Sequence, residues 1–477
     1  MVRFSASLTA VALLAIALPA AAADPPRAVT PAIAERIDTA LRAATGSAKG
    51  LTPALSVAIV EDGRIVYARA FGTADLAANA PATPQTRFPI ASVTKMVTAV
   101  AVMQLVESGR IALDAPLATY LPSAPHAGEV TIRQLLMHTS GLWNYGDEAF
   151  NSGRVATPTT PAAIVASLAS RPLDSTPGTA FSYSNTGYLL LALVVEAVDH
   201  RSLAEYERLH IFTPAGMTAT TVGDTAPPAR ARGYMDATGV AAPEFSYTWT
   251  YGDGDIISTA SDLARFDIAL MDGKLLKPAT FAQMQSSAVA APQFGSGVRY
   301  GLGLTLAPGA GMLFVGHHGG VPGFEAEDEM LPQQRFAVVV LSDAFDFHTS
   351  IANAAVLRQT IPSLLAAATP AATSAGGVED PAITAKLRVL FAGLQHGTVD
   401  RSSLTAAMNA ALTAEALNAS AGEFGPLGAL QTLAFRSRET DSGYAVYHYT
   451  ATFASGQTLP LTISIDAAGM IGGLVLS

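Results

Sequence analysis

The feature that most restricts the fold is the position of strand-patterned runs at both ends of a long helix-patterned stretch. Near the amino end, Leu55-Ser56-Val57-Ala58-Ile59-Val60 and Arg64-Ile65-Val66-Tyr67-Ala68 flank Asp62-Gly63. That dipeptide supplies the positive backbone angles of a tight hairpin turn. Helical periods follow over Val93 to Ser108, Thr131 to His138, Pro161 to Ala169 and Thr186 to His200. Strand character returns at Tyr300 to Leu306, Met312 to Gly316 and Phe336 to Leu341, ahead of a helix predicted over Thr349 to Ala368. The pattern predicts an α/β chain of the α+β kind. One antiparallel sheet is built from distant halves and flanked by helices, with a helical lobe inserted between them. An amphipathic helix over Pro31 to Ala44 presents Ile33, Ile37 and Leu41 on one face.

At 477 residues the chain is long enough for two folded units. Residues 1–23 read as an export signal: Arg3 supplies a positive charge, Leu8 to Leu18 an apolar run, and Pro19 leads into Ala21-Ala22-Ala23. The run is shorter than the roughly 20 residues of a membrane span. The expected mature protein is therefore exported, periplasmic or secreted, with no stable span after cleavage. Residues 24–368 form the predicted main domain. From Ala366 to Ala382 the composition shifts to Ala, Thr, Pro, Ser and Gly, giving a linker over 369–381. Residues 382–477 read as a small α+β domain. Helices over Ala385 to Gln395, Ser402 to Met408 and Thr413 to Asn418 precede strands over Leu430 to Arg438, Tyr444 to Phe453, Leu459 to Ile465 and Ile471 to Leu476.

Charge narrows the partners. The formal net charge is -10, only 14% of residues are charged, and no Lys- or Arg-rich stretch exists to neutralise phosphates. A small-molecule or peptide substrate fits this balance better than nucleic acid. With no cysteine, thiol catalysis, disulfides and cysteine-ligated metal are all excluded.

Ala91-Ser92-Val93-Thr94-Lys95 opens an apolar helix. Residues three apart share a helix face, so Lys95 reaches Ser92. A serine hydroxyl becomes nucleophilic when a neighbour takes its proton, and a desolvated lysine does this because burial disfavours the ammonium. Chance alone predicts about 0.35 Ser-x-x-Lys pairs in such a chain, so the spacing by itself is weak. Phe181-Ser182-Tyr183-Ser184-Asn185 precedes a second apolar helix, and in extended chain Tyr183 and Asn185 point into one cleft. There a phenol relays protons and an amide orients a substrate. Phe314-Val315-Gly316-His317-His318-Gly319-Gly320 reads as a strand end whose glycines let a ligand approach the backbone. Adjacent histidines on a strand face opposite ways, which disfavours joint metal ligation.

Ser92-x-x-Lys95, Tyr183-Ser184-Asn185 and His317-His318-Gly319, in that order, resemble the three motifs of class C β-lactamases, serine D-Ala-D-Ala carboxypeptidases and related esterases. The resemblance covers roughly Pro31 to Ala368. It includes Leu135-Leu136-Met137-His138-Thr139-Ser140-Gly141-Leu142, Ser258-Thr259-Ala260-Ser261-Asp262-Leu263-Ala264-Arg265-Phe266 and Tyr300-Gly301-Leu302-Gly303. It implies a β-lactamase/transpeptidase-like fold, with Ser92 as nucleophile and Lys95 and Tyr183 as general acid and base. Asn185, His317, Gly319 and Gly320 bind substrate, and the N–H groups of Ser92 and Gly320 form the oxyanion hole. No metal or organic cofactor is implied.

The departures bear on substrate. No Lys-Thr-Gly occurs, the hydroxyl residue usual in the middle of the third motif is His318, and Leu302 to Ala307 offers no cation to a carboxylate. A carboxypeptidase-like peptidase or an esterase is favoured, with a β-lactamase or a catalytically silent cell-wall-binding protein as alternatives. His138 reads as structural, and Arg299 as solvated. Trp143, Tyr145, Tyr247, Trp249 and Tyr251 are candidates for the walls of the substrate mouth. Neither Gly-x-Ser-x-Gly nor His-Glu-x-x-His is present.

Overall fold

The predicted hairpin forms in the computed structural model, which describes residues 29–45, 52–223, 229–295, 297–309, 312–345, 379–441, 444–455 and 458–476. Strands β1 (Ala54–Glu61) and β2 (Arg64–Asp75) pair antiparallel about Asp62 and Gly63, whose φ angles are 50° and 72°. Two successive positive φ values are what a two-residue hairpin turn demands. The export segment and the helix predicted over Thr349 to Ala368 lie outside the described residues, as does most of the linker.

The chain divides into two compact units, residues 24–368 and 369–477. In the first, seven more strands join the hairpin: β3 (Ala80–Pro81), β4 (Val289–Ala290), β5 (Arg299–Tyr300), β6 (Thr305–Gly309), β7 (Met312–Val321), β8 (Phe324–Leu331) and β9 (Phe336–Ser342). Their order across the sheet is β3-β2-β1-β9-β8-β7-β6-β5-β4. The halves meet where β1 pairs antiparallel with β9, with Val57 opposite Val340 and Ile59 opposite Val338.

Alternation along these central strands splits the core. Leu55, Val57, Ile59, Val338 and Val340 pack on Ile33, Ile37 and Leu41 of helix α1 (Pro31–Ala44). Ala58, Val60, Val339 and Leu341 join the larger core on the other face. That core holds α2 (Thr94–Glu107), α3 (Asn185–Asp199) and α4 (Ala260–Met271). Each fully buried aliphatic side chain contributes on the order of 1.5–3 kcal/mol, so α1 is held by its three-residue stripe. Helix α2 has no wet side through most of its length: every residue from Thr94 to Met103 is buried. A helix apolar on all faces belongs in a core, and this one takes Lys95 with it.

Three local differences from the sequence reading matter for the site. Residues Ala91–Val93 form a 3₁₀ turn, and the α-helix starts at Thr94 instead of Val93. Strand β7 runs on to Val321, because His317 to Val321 pair in register with Asp328 to Phe324 of β8. Asn185 is the first residue of α3 rather than part of an extended loop; Ser184, with φ of -142°, is the extended residue before it.

The second unit carries α5 (Pro381–Gln395), two short helices (Ala406–Ala411 and Ala414–Phe424) and the predicted meander. Its strands are β10 (Leu430–Asp441), β11 (Tyr444–Phe453), β12 (Thr458–Ile465) and β13 (Ile471–Leu476), paired in that order. Leu387, Phe391 and Leu394 of α5 pack on Tyr447, Tyr449, Phe453 and Ile463. The helix predicted over Ser402 to Met408 is instead a 3₁₀ turn (Arg401–Ser403) followed by the helix from Ala406, whose N-cap is Thr405. No helix among the described residues is long and apolar enough to cross a membrane.

Candidate active site

Ser92 sits in a short turn pinned on both sides. Before it, Phe88–Pro89 pairs with Ser258 and Ile257, and Ile90 N donates to Ile256 O at 3.0 Å. After it, Thr94 Oγ1 accepts from Ile256 N at 3.3 Å. Ala91 has φ of 46°, a left-handed conformation rare for a residue with a Cβ. Such strain costs of order 1–3 kcal/mol and persists where the surroundings over-determine it. The turn leaves Ser92 partly exposed while Ala91 and Val93 are buried.

Lys95 lies one turn on and is fully buried. Its Nζ donates to Ser92 Oγ at 3.0 Å and to the backbone oxygen of Asp253 at 2.8 Å. The same nitrogen is 5.0 Å from the ring centre of Tyr183 and 5.6 Å from that of Tyr188. Burial pushes the Lys95 pKa down to about 8, against the opposing pull of Asp253 and Asp255. Asp253 was not singled out from the sequence, where Tyr251-Gly252-Asp253-Gly254-Asp255 reads as an ordinary polar turn. Its carboxyl is buried and accepts from the Tyr145 hydroxyl. Burial raises it to about 6, while Lys95 and Tyr145 draw it down.

Tyr183 approaches Ser92 from a separate segment. Burial raises its phenol well above the ordinary range, and a hydrogen bond with Ser92 acts in the opposite direction. The phenol is therefore neutral at rest. Its ring lies on His138, with centroids 4.2 Å apart. His138 adopts φ of 56°, and its Nδ1 accepts from Ser184 N at 3.1 Å. Burial, followed by the Lys95 charge, holds its imidazole neutral. The structural reading of His138 fits this environment; its stacking on Tyr183 was not visible in the sequence.

Strand β7 closes the site. A Cβ at Gly319 would stand 2.3 Å from Ile90 O and 2.9 Å from Ser92 N, so only glycine allows the strand against the Ser92 turn. His317 is buried, its Nε2 2.9 Å from the Tyr300 hydroxyl. Burial first, then the Lys95 charge, pushes it down to about 3, so it stands as a neutral imidazole. His318 faces the other way, with Nδ1 3.0 Å from Glu327, so the two histidines diverge. Among the described residues no cluster of side chains could hold a metal ion.

Ser92, Lys95, Tyr183 and Gly319 thus converge. His317 stands behind them, its ring 6.3 Å from that of Tyr183. Asn185 does not bond to Lys95. Its N donates to Asn144 Oδ1 at 3.0 Å, and its Oδ1 is buried without a partner among the described residues. The aromatic residues proposed for the mouth mostly serve other purposes. Tyr145 is buried on Asp253, Trp249 Nε1 donates to Thr157 O at 2.7 Å, and the Tyr251 hydroxyl is 2.6 Å from Glu196 Oε1. Each has a polar tip that needs an internal partner once its ring is buried. Arg299 is exposed.

Known proteins share this arrangement of elements. The chain is 31% identical over 289 residues to the putative penicillin-binding protein PbpX of Bacillus subtilis, covering 60% of this chain and 69% of that one. It is 31% identical over 341 residues to a D-aminopeptidase of Cereibacter sphaeroides, covering 70% of this chain and 63% of the relative. Among solved structures, a D-amino acid amidase from Ochrobactrum anthropi complexed with L-phenylalanine amide superposes with a TM-score of 0.62 at 26% identity. The match covers 70% of this chain and 98% of that one. An octameric penicillin-binding protein homologue from Pyrococcus abyssi, at 25% identity and a TM-score of 0.58, covers 89% of this chain and 95% of its own. Residues 37–360 match the family model described as Beta-lactamase, and the chain belongs to the Beta-lactamase family.

Proposed function

We propose that this protein is a serine amidase or peptidase that forms an acyl-enzyme on Ser92. The observation that carries the reading is the 3.0 Å hydrogen bond from Lys95 Nζ to Ser92 Oγ, with the amine fully buried and 5.0 Å from the Tyr183 ring centre. The substrate carbonyl oxygen takes the N–H groups of Ser92 and Gly320, each such donor being worth about 3–4 kcal/mol in acyl transfer. Ser92 Oγ attacks the carbonyl carbon and its proton passes to the neutral Lys95 amine. Tyr183 protonates the departing nitrogen as the C–N bond breaks and regains a proton from Lys95. Water then adds to the ester carbonyl as it gives a proton to the neutral Lys95 amine, and that proton returns to Ser92 Oγ as its bond to the acyl carbon breaks, releasing the acid. His317 and Gly319 shape the floor, and Asn185 orients the substrate amide. Nothing in the cycle calls for a cofactor.

Amide chemistry is preferred because the similar proteins include a D-aminopeptidase and a D-amino acid amidase, while the third motif, His317-His318-Gly319, speaks against a β-lactam substrate without separating peptides from esters. The amino-terminal 23 residues support an exported protein. The test is turnover of D-phenylalanine amide, a p-nitrophenyl ester and nitrocefin by the wild type and Ser92→Ala. Hydrolysis of the amide, lost in Ser92→Ala, with nitrocefin at least about 100-fold poorer in kcat/KM, is expected. Nitrocefin as the best substrate, or activity unchanged in Ser92→Ala, contradicts the reading.

A further inference from the structure

A cavity of about 510 Å³ in the first unit has two arginines in its lining. Its lining includes Arg230, Arg232, Glu244, Tyr247, Pro322 and Phe324. Three elements that build the Ser92 site lead into its walls. Residues 229–231 run along Arg87, with Arg87 N donating to Ala229 O and Ala231 N to Arg87 O, both at 2.9 Å. Arg87 directly precedes the strand that delivers Ser92. Pro322 and Phe324 continue from Gly320 through the turn between β7 and β8. Tyr247 begins the turn whose Thr250 Oγ1 donates back to Tyr247 O at 3.1 Å, and that segment ends at Asp253 under Lys95.

Arg230 is held in a way a solvated arginine is not. Its guanidinium carbon is 4.9 Å from the Tyr247 ring centre and 5.9 Å from that of Phe324. Nη2 donates to the Tyr247 hydroxyl at 3.0 Å. Nε and Nη1 have no acceptor among the described residues, and no carboxylate lies within ion-pair distance of Arg230 or Arg232. Two rings, one of them carrying the accepting hydroxyl, thus fix the orientation of a planar cation whose remaining N–H donors are unspent. Guanidinium N–H pairs match a carboxylate in two parallel hydrogen bonds, and holding the fork in place beforehand lowers the ordering cost of that match. Two arginines against Glu244 leave the lining net positive in a chain of net charge -10.

We infer that Arg230 binds a carboxylate of the substrate, so that the enzyme selects amides or peptides bearing an acidic group next to the residue at the scissile bond. The inference rests on the proposed acyl-transfer reading of Ser92. The experiment uses the full chain and matched amide substrates carrying glutamate or glutamine, in one series on the acyl side and in another on the leaving side. In one series the wild type favours glutamate by about 10- to 100-fold in kcat/KM, the range of a charge-assisted hydrogen bond. Arg230→Gln erases that preference and leaves the glutamine substrate within about 3-fold. Arg230→Lys, which keeps the charge without the planar fork, retains part of it. Equal rates on both members in both series overturn the inference, and this comparison needs only the wild type. So does an Arg230→Gln protein that loses both substrates equally while melting like the wild type. Ser92→Ala turning over the glutamine substrate as fast as the wild type would instead defeat the underlying reading of Ser92.

Discussion

Lys95 Nζ lies 2.8 Å from the carbonyl oxygen of Asp253, the residue whose buried carboxyl is held by Tyr145. The contact ties the amine to a second acid–phenol pair beneath the site. Burial drives the ammonium towards deprotonation and Asp253 resists, leaving Lys95 near pH 8. In the proposed mechanism the neutral amine takes the serine proton, so kcat/KM is expected to rise as pH climbs through about 8. Asp253→Asn removes the charge that favours the ammonium, so the rising limb moves to lower pH. A pH–rate series on both proteins checks this, and a limb that stays put contradicts the assignment of Lys95 as the titrating base.

The Tyr183 ring is packed on His138 and lies 5.0 Å from Lys95 Nζ. Tyr183→Phe keeps the ring and removes the proton relay. We expect kcat to fall by about 10²- to 10⁴-fold with little change in melting temperature. A Phe variant with near-normal kcat would remove Tyr183 from the proton path.

Gly319→Ala places a methyl group against Ile90 O and Ser92 N. Either β7 retreats or the Ser92 turn shifts. The expected cost is about 1–3 kcal/mol of stability, the range of overpacking in a tight interior, with a larger proportional loss of kcat than of substrate affinity. Urea melts and steady-state kinetics on the same preparation separate the two effects.

Beneath the sheet, Asp267 of α4 and Asp328 of β8 are fully buried, and none of their carboxyl oxygens has a hydrogen-bond partner among the described residues. Burial first, then the neighbouring acids, raises Asp267 to about 7 and Asp328 well above the usual range. Folded-state values above the unfolded ones mean the stabilisation is complete below about pH 4 and is lost as pH rises through 7 and beyond. Unfolding free energy should therefore decline from pH 5 to pH 8.5. Asp328→Asn keeps a donor and removes one charge, and it should flatten that decline, gaining about 1–3 kcal/mol at pH 8.5. An unchanged slope would show that the pair does not titrate in this range.

The hairpin, the joining of distant halves in one antiparallel sheet, and the closeness of Lys95 to Ser92 were legible because local pattern and tertiary arrangement agree there. Strand β8 was not read from the sequence: Phe324-Glu325-Ala326-Glu327-Asp328-Glu329 carries four acids, which argue for a surface, yet the strand is buried between β7 and β9. Helix α4 was seen only as a motif fragment. Asn185 was placed in a loop because Ser184 makes no side-chain cap; the helix start is set by Ser184 N donating to His138 and Asn185 N to Asn144, tertiary contacts that one sequence does not display. Asp253 was missed for a related reason. A Gly-Asp-Gly-Asp run has turn chemistry wherever it falls, and only the fold carries its carbonyl under Lys95.

The central claim is that Lys95 makes the Ser92 hydroxyl a nucleophile, and covalent labelling reads this directly. The protein is incubated with a fluorophosphonate, and the modified peptide is mapped by mass spectrometry in the wild type, Ser92→Ala and Lys95→Ala. A single adduct on Ser92, absent from Ser92→Ala and formed at least about 100-fold more slowly in Lys95→Ala, is predicted. Labelling at another residue, or at the wild-type rate without the Lys95 amine, would contradict the account.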